Sequence, residues 1–341
     1  MLAEIASSKA CEMIEGAFRP LKGKEDPSLI TGLLAIRECK ITNQGTNVTY
    51  ELAGVGWQWA DQTQKKAGGT FEMRDYVTFA VKARLEGSLD IAYETRNHVV
   101  SLWYSPKQTP SVKFEPVGEV DVEEKGAWSE IVGGLSTVIG SSPDKQGEDQ
   151  AKKQGTNDFE TQLAEGMTVA IDLCTGYQRF TLGLPKKGQL GPPNPGETFK
   201  QPIELAKNGM MVFGPYFAPD GMHVKVNSDG PLRVGLTCAN DVDAAVTAFV
   251  EKKPLPEIQT LAQSDINGTG TLEIKPQRCK VALVAKSLGE NKVRFDWARP
   301  PKEIAQSTGG PAIHCTRKGT LSSASNAAGS GAPPAAAARR R

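Results

Sequence analysis

Residues 77–104, VTFAVKARLEGSLDIAYETRNHVVSLWY, hold a single period for longer than any other stretch of the chain. Val77, Phe79, Val81, Ala83 and Leu85 alternate with Thr78, Ala80, Lys82, Arg84 and Glu86, which gives a strand one apolar and one mostly polar face. Gly87-Ser88 is expected to break that strand. Leu89, Ile91 and Tyr93 then alternate in a second, and Arg96-Asn97-His98 turns the chain into a third through Val100, Leu102 and Tyr104. A meander with one apolar face must bury that face under a second layer.

Candidates for the cover flank it. Leu2, Ile5, Ala6, Met13 and Ala17 recur at helical spacing before Pro20. Trp128, Ile131, Val132, Leu135, Val138 and Ile139 make the clearest helical stripe, over residues 127–140, and Ser141-Ser142-Pro143 opens a polar segment that reads as a further helix reaching Leu163. Upstream of the meander, Leu33 to Ile41 and Val48 to Trp59 alternate around the turn Asn43-Gln44-Gly45-Thr46. The expected class is α+β: an N-terminal curved antiparallel sheet covered by amphipathic helices, followed by a C-terminal β-sandwich.

The Pro/Gly-rich run PKKGQLGPPNPG places a linker at 185–201 between an N-terminal domain, 1–184, and a C-terminal one, 202–316. In the latter, Met222, Val224 and Val226 lead through Asp229-Gly230-Pro231 to Leu232, Val234, Leu236 and Cys238, which reads as a hairpin. A short helix follows with Val242, Ala245, Val246, Phe249 and Val250 on one side. Residues 317–341 are Ala, Ser, Gly and Pro with a few arginines and are expected to be a disordered tail that folding does not need.

The formal charge is +1, and the acid-free tail contributes Arg317, Lys318, Arg339, Arg340 and Arg341, so the body carries about −4. That balance argues against nucleic acid as a partner, because phosphate-backbone binding needs a basic face. No apolar run approaches the roughly 18 residues of a transmembrane helix. The first residues lack a signal-peptide pattern, which leaves a cytoplasmic protein or a start downstream of a removed leader. Six cysteines occur without C-x-x-C. Cys238 and Cys279 stand at the ends of two strands of the C-terminal domain and read either as a disulfide of an oxidising compartment or as two buried thiols of a reducing one.

Motifs of the zincins, elbow-type serine hydrolases, P-loop and Rossmann enzymes are absent from the sequence. His98, His223 and His314 each stand alone, and Asp75, Asp90, Glu94, Asp121, Glu123 and Glu124 read as solvated charges. Asp265, Asn267, Thr269 and Gly270 match the opening of a calcium loop, but Pro276 stands where its bidentate acid belongs, so a glycine-rich turn is expected instead. No catalytic residue, metal site or cofactor is assigned. Trp57 and Trp59, two apart on a strand, suit either ligand stacking or packing.

The segment SDGPLRVGLTCANDVDAAVTAF with KVALVAKSLGENKVRFDW resembles GOLD and pre-peptidase C-terminal sandwich modules, a resemblance that implies attachment or binding. The N-terminal half, with its leading helix, sheet and stripe over 127–140, is similar to the tubular lipid-binding superfamily, which implies a lipid held between sheet and helix. The expectation is a non-catalytic binding protein working outside the cytoplasm, in a bacterial periplasm or at a cell surface. Its partner is a lipid or other apolar small molecule, and its candidate ligand contacts are Trp57, Trp59, Trp128, Ile131 and Leu135. The alternative is a structural or interaction module for protein or polysaccharide, with a hydrolase third.

Overall fold

The computed structural model describes residues 11–12, 14–23, 26–44, 47–66, 69–95, 98–117, 123–125, 160, 163–172, 178–182 and 197–299. Its longest element is a strand of 26 residues, β4 (Gly69–Glu94), against β3 (Asn47–Lys66), which pairs with it in register from Asn47↔Ser88 to Lys66↔Gly69. At about 3.3 Å per residue β4 has a contour of about 85 Å, several times that of an ordinary strand. Its other edge carries three shorter strands in succession: β7 (Glu123–Lys125) at residues 70–72, β6 (Ser111–Pro116) at 79–84 and β5 (Val99–Pro106) at 87–94. Beyond β5 follow β8 (Met167–Asp172) and β9 (Gln178–Leu182). The expected break at Gly87-Ser88 does not occur. Gly87 pairs with Val48 on one side and Pro106 on the other, and the Tyr104 ring covers it, with Cε2 2.8 Å from where a Cβ would stand.

On the far side of β3 lies β2 (Ile30–Gln44), paired with it as far as Gln44↔Asn47; Gly45 and Thr46 of the expected turn lie outside the described residues. A bulge at Arg37 shifts the register between Ile36 and Glu38. Both faces of β2 are buried. Leu33 and Ala35 join one core with Trp57 and Tyr76, while Leu34 and Ile36 join a second with Tyr50, Phe79, Val81, Leu85 and Tyr104. Gly56 sits between Leu34 and Phe79 in register, and its missing side chain leaves room for the Phe79 ring.

The first core is largely C-terminal. The strands β10 (Glu197–Leu205), β11 (Met210–Tyr216), β12 (Met222–Cys238), β14 (Val281–Ser287) and β15 (Val293–Arg299) close a hydrogen-bonded circuit with β1 (Phe18–Lys22) and β2, in the order β1-β11-β14-β12-β15-β10-β2-β1. Two of its closures rest on single residue pairs, Phe18↔Gly214 and the parallel Ile203↔Ile30. Val224, Val226, Leu232, Val234, Leu236, Leu283 and Trp297 are fully buried inside it, each worth about 1.5–3 kcal/mol for an aliphatic side chain of this size or larger.

The expected hairpin at Asp229-Gly230-Pro231 is instead a bend within β12. Four residues advance from Ser228 to Leu232 while the partner β13 (Ala262–Ile274) advances two, and Arg294 N–H donates to Asp229 Oδ1 across the bend, 2.7 Å. The turn residues bend the strand so that its first half pairs with β15 and its second with β14. The short helix is present as a helical turn, Ala239–Val242, running into α1 (Asp243–Val250), which buries Ala245, Val246 and Val250.

The α+β class is thereby corrected. Among the described residues α1 is the one helix longer than a turn, and the strands form one mixed, mainly antiparallel sheet that runs from the N-terminal half into the C-terminal strands. What covers β2 and β3 on their first-core face is the other end of the same sheet with α1, because a sheet this long curls round and supplies its own second layer. Residues 2–10 and 127–140, with Trp128, Ile131 and Leu135, lie outside the described residues, as do the segment 183–196 and the tail.

Candidate functional site

The apolar stripe of β4 does not end where its cover ends. From Leu85, fully buried in the second core, it continues through Leu89 to Ile91 and Tyr93, which leave 45% and 50% of their surface exposed. Cross-strand pairing sets Tyr104, Leu102 and Val100 of β5 beside Leu89, Ile91 and Tyr93, and Met167, Val169 and Ile171 of β8 beside those. The period of two therefore places all nine on one face. Leu102 and Val169 are buried, with Leu89 and Ile171 packed against them. Along β4 the stripe is thus closed at Leu85 and exposed at Ile91 and Tyr93, while Leu102 and Val169, level with Ile91, are buried. At the bare end Tyr93 Oη and His98 Nδ1 are 2.9 Å apart, and His98 holds the turn with φ 54°.

At the closed end Tyr50 and Tyr104 meet edge to face, 4.9 Å between ring centres. Both are 1% exposed, and among the described residues the Tyr104 hydroxyl has no hydrogen-bond partner. Burial raises the Tyr104 phenol above its ordinary pKa of 10.0, and the neighbouring Tyr50 and Glu86 push the same way, so the oxygen keeps its proton.

Trp57 faces the first core and is fully buried. Its ring packs at 4.3 Å against Phe249 of α1, and its Nε1 donates to the Met210 carbonyl, 3.0 Å. Trp59 shares that face and is half-buried between Tyr76, 5.0 Å, and Lys292, whose Nζ lies 5.7 Å from the ring centre. Tyr76 Oη accepts from the Ala206 N–H, 3.0 Å.

Beside Trp59 runs a network that the sequence reading missed. Lys292 Nζ reaches Asp61 Oδ2 at 3.0 Å and Glu204 Oε1 at 3.1 Å, Arg294 Nε donates to Glu204 Oε2 at 2.8 Å, and Arg74 Nε donates to Asp61 Oδ1 at 3.2 Å. Glu204 is buried to 7% side-chain exposure, so both cations are needed to hold its charge. Burial pushes Asp61 up, but the hydrogen bonds and charges of Lys292 and Arg74 outweigh it and hold the carboxyl below its ordinary value. The signal was there: Glu204 is the one charge in the run Ile203-Glu-Leu-Ala206, and a carboxylate within an apolar strand calls for cations from its neighbours. Together with Lys252–Asp75 and Arg37–Asp243, these pairs tie the N-terminal strands to the C-terminal ones.

Cys238 and Cys279 are joined by a disulfide, Cα–Cα 5.7 Å, and a second disulfide joins Cys11 to Cys39, Cα–Cα 5.3 Å. His223 lies across from Glu273, His98 serves the turn, and His314 lies outside the described residues. Asp265 is held by both nitrogens of a fork from Arg233, 2.7 and 2.8 Å, within the continuous strand β13, where a calcium-type loop would need it free. Among the described residues no group of three or more His, Cys, Asp or Glu is arranged to hold a metal ion, and no helix is long and apolar enough to cross a membrane.

No family model matches the chain, and neither does any curated protein. Among solved structures it is similar, at 7% identity and TM-score 0.20, to a glycoside hydrolase family 43 arabinoxylan arabinofuranohydrolase from Bacillus subtilis, over 82% of this chain and 69% of that one. AerE from Microcystis aeruginosa follows at 8% identity and TM-score 0.18, over 83% and 96%. Extended-Synaptotagmin 2 matches at 8% and 0.18, over 86% and 59%. Likeness this slight fixes neither fold nor function.

Proposed function

We propose that this is a non-catalytic binding protein of an oxidising, extracytoplasmic compartment that holds an apolar small molecule of the lipid-chain kind against the face of β4, β5 and β8. The observation that carries the reading is the continuity of one apolar stripe, buried at Leu85 and bare at Ile91 and Tyr93. A bare aliphatic and a bare aromatic residue set two apart on one face of a strand offer area that a ligand chain covers favourably. The two disulfides support the compartment. Trp57, already packed on Phe249 and bonded to Met210, serves the core in this reading and not the ligand.

Titration of the purified protein with diphenylhexatriene, a fluorescent hydrocarbon, tests it, alongside native mass spectrometry for co-purified lipid. Saturable uptake that Ile91→Asp with Tyr93→Asp abolishes is the expected result. Neither uptake nor co-purified lipid would overturn it in favour of an interaction module with a solid core.

A further inference from the structure

Three charged residues of the C-terminal strands stand in one row. The register sets Lys286 of β14 beside Arg233 of β12, and Arg233 beside Asp265 of β13. Directly opposed residues of neighbouring strands share a face, and like charges so placed repel. Arg233 directs Nε and Nη2 at the two oxygens of Asp265, 2.7 and 2.8 Å, so the one acid of the row is held by the guanidinium. Half-buried Lys286 is left with that cation on one side and Met210 of β11 on the other. Glu290, the next acid along the chain, pairs with Lys207 at 2.6 Å, and among the described residues no carboxylate pairs with the Lys286 amine. Lys292 makes the contrast. Burial works against its charge too, but Asp61 and Glu204 outweigh it and raise its pKa.

We propose that Lys286 is a covalent modification site whose substrate class is the small aldehyde. An amine without an acid partner, beside a fixed cation and still open to solvent on part of its surface, offers its lone pair as a nucleophile. Nζ attacks the carbonyl carbon and a C–N bond forms. The carbonyl oxygen then leaves as water with the two amine protons, which gives an imine without any change of oxidation state. Burial, with the Arg233 charge adding to it, pushes the amine below its ordinary 10.5 and so raises the unprotonated fraction. The inference stands apart from the exposed face of β4 and does not rest on it.

The test is limited reaction of the full chain with propanal and cyanoborohydride, which reduces the imine to a stable secondary amine, followed by peptide mass mapping of each lysine from a pH of about 6 to about 10. The midpoint of the Lys286 rate profile should lie below that of Lys292. Two variants move it in opposite directions. Arg233→Gln removes the neighbouring cation and should raise the Lys286 midpoint by about half a unit, whereas Asp265→Asn leaves the guanidinium uncompensated and should lower it by a similar amount. Circular dichroism confirms that each variant is folded, and either one alone tests the sign. A Lys286 that stays unmodified, or one whose midpoint matches that of Lys292 or lies above it, would overturn the inference. So would a midpoint that either folded variant leaves unmoved or shifts the other way, because exposure and not the charge row would then set the rate.

Discussion

Leu236 and Ile91 are both aliphatic residues on long antiparallel strands, yet Leu236 is fully buried and Ile91 leaves 45% of its surface to solvent. The difference lies in what closes each region. Around Leu236 the strands return on themselves, so that β12 is paired on both sides and faces its own sheet across the core. Around Ile91 the sheet goes on past its cover. Identical local patterns thus give a sealed core in one place and a bare face in the other, and alternation along a strand reports which residues share a face, never whether anything lies against it.

The sharpest way to break the comparison is at the seam where the two regions share a core. Trp57→Ala removes the ring packed on Phe249 and the bond to Met210, and should cost about 3–5 kcal/mol, read from urea unfolding. A loss below about 1 kcal/mol would mean that the regions are not coupled through it.

Next in size is the Cys238–Cys279 bridge, which spans 41 positions. Replacing both with alanine should cost about 2–4 kcal/mol, measured on non-reduced protein, and lower the melting temperature without changing hydrocarbon uptake at Ile91 and Tyr93, which belong to other strands.

Smaller again is the charge network. Asp61 has a folded pKa below its ordinary 3.8, so its contribution is fully present above that value and lost as pH falls through the folded one. Unaltered protein should therefore melt above Asp61→Asn at a pH of about 6, with the gap closing towards a pH of about 3. A gap that stays constant would show that the carboxylate charge contributes nothing.

The least effect belongs to the bare face itself. Ile91→Ser should change stability by no more than about 0.5 kcal/mol in ligand-free protein. A larger loss would show that something already packs there.

Much of the strand pattern was legible. The alternation of Val77 to Leu85, the pairing of Leu33–Ile41 with Val48–Trp59 and the stripe of α1 all appear where periodicity put them. Two punctuation marks misled. Gly87-Ser88 read as a break and Asp229-Gly230-Pro231 as a turn, but a glycine flanked by paired strands on both sides stays in the strand, and two extra residues opposite a continuous partner make a bend. The class was misread for a related reason. An apolar face announces that it needs a cover, and helices were the visible candidates, whereas the long sheet covers β2 and β3 by curling back. Of the candidate site, the stripe through Leu89, Ile91 and Tyr93 could be read directly. The exposure of its end and the unpaired hydroxyl of Tyr104 depend on tertiary neighbours, which no local pattern encodes.

The bond from Trp57 to Met210 also bears on how the chain is made, because its partners lie 153 residues apart in sequence. At roughly 5–20 residues per second a ribosome needs on the order of 8–30 s to deliver the second after the first. Throughout that interval Leu33, Ala35 and Trp57 have emerged while the strands that bury them have not. The nascent chain therefore carries an apolar strand face far longer than strands take to pair, and its yield depends on what shields that face until the C-terminal strands arrive.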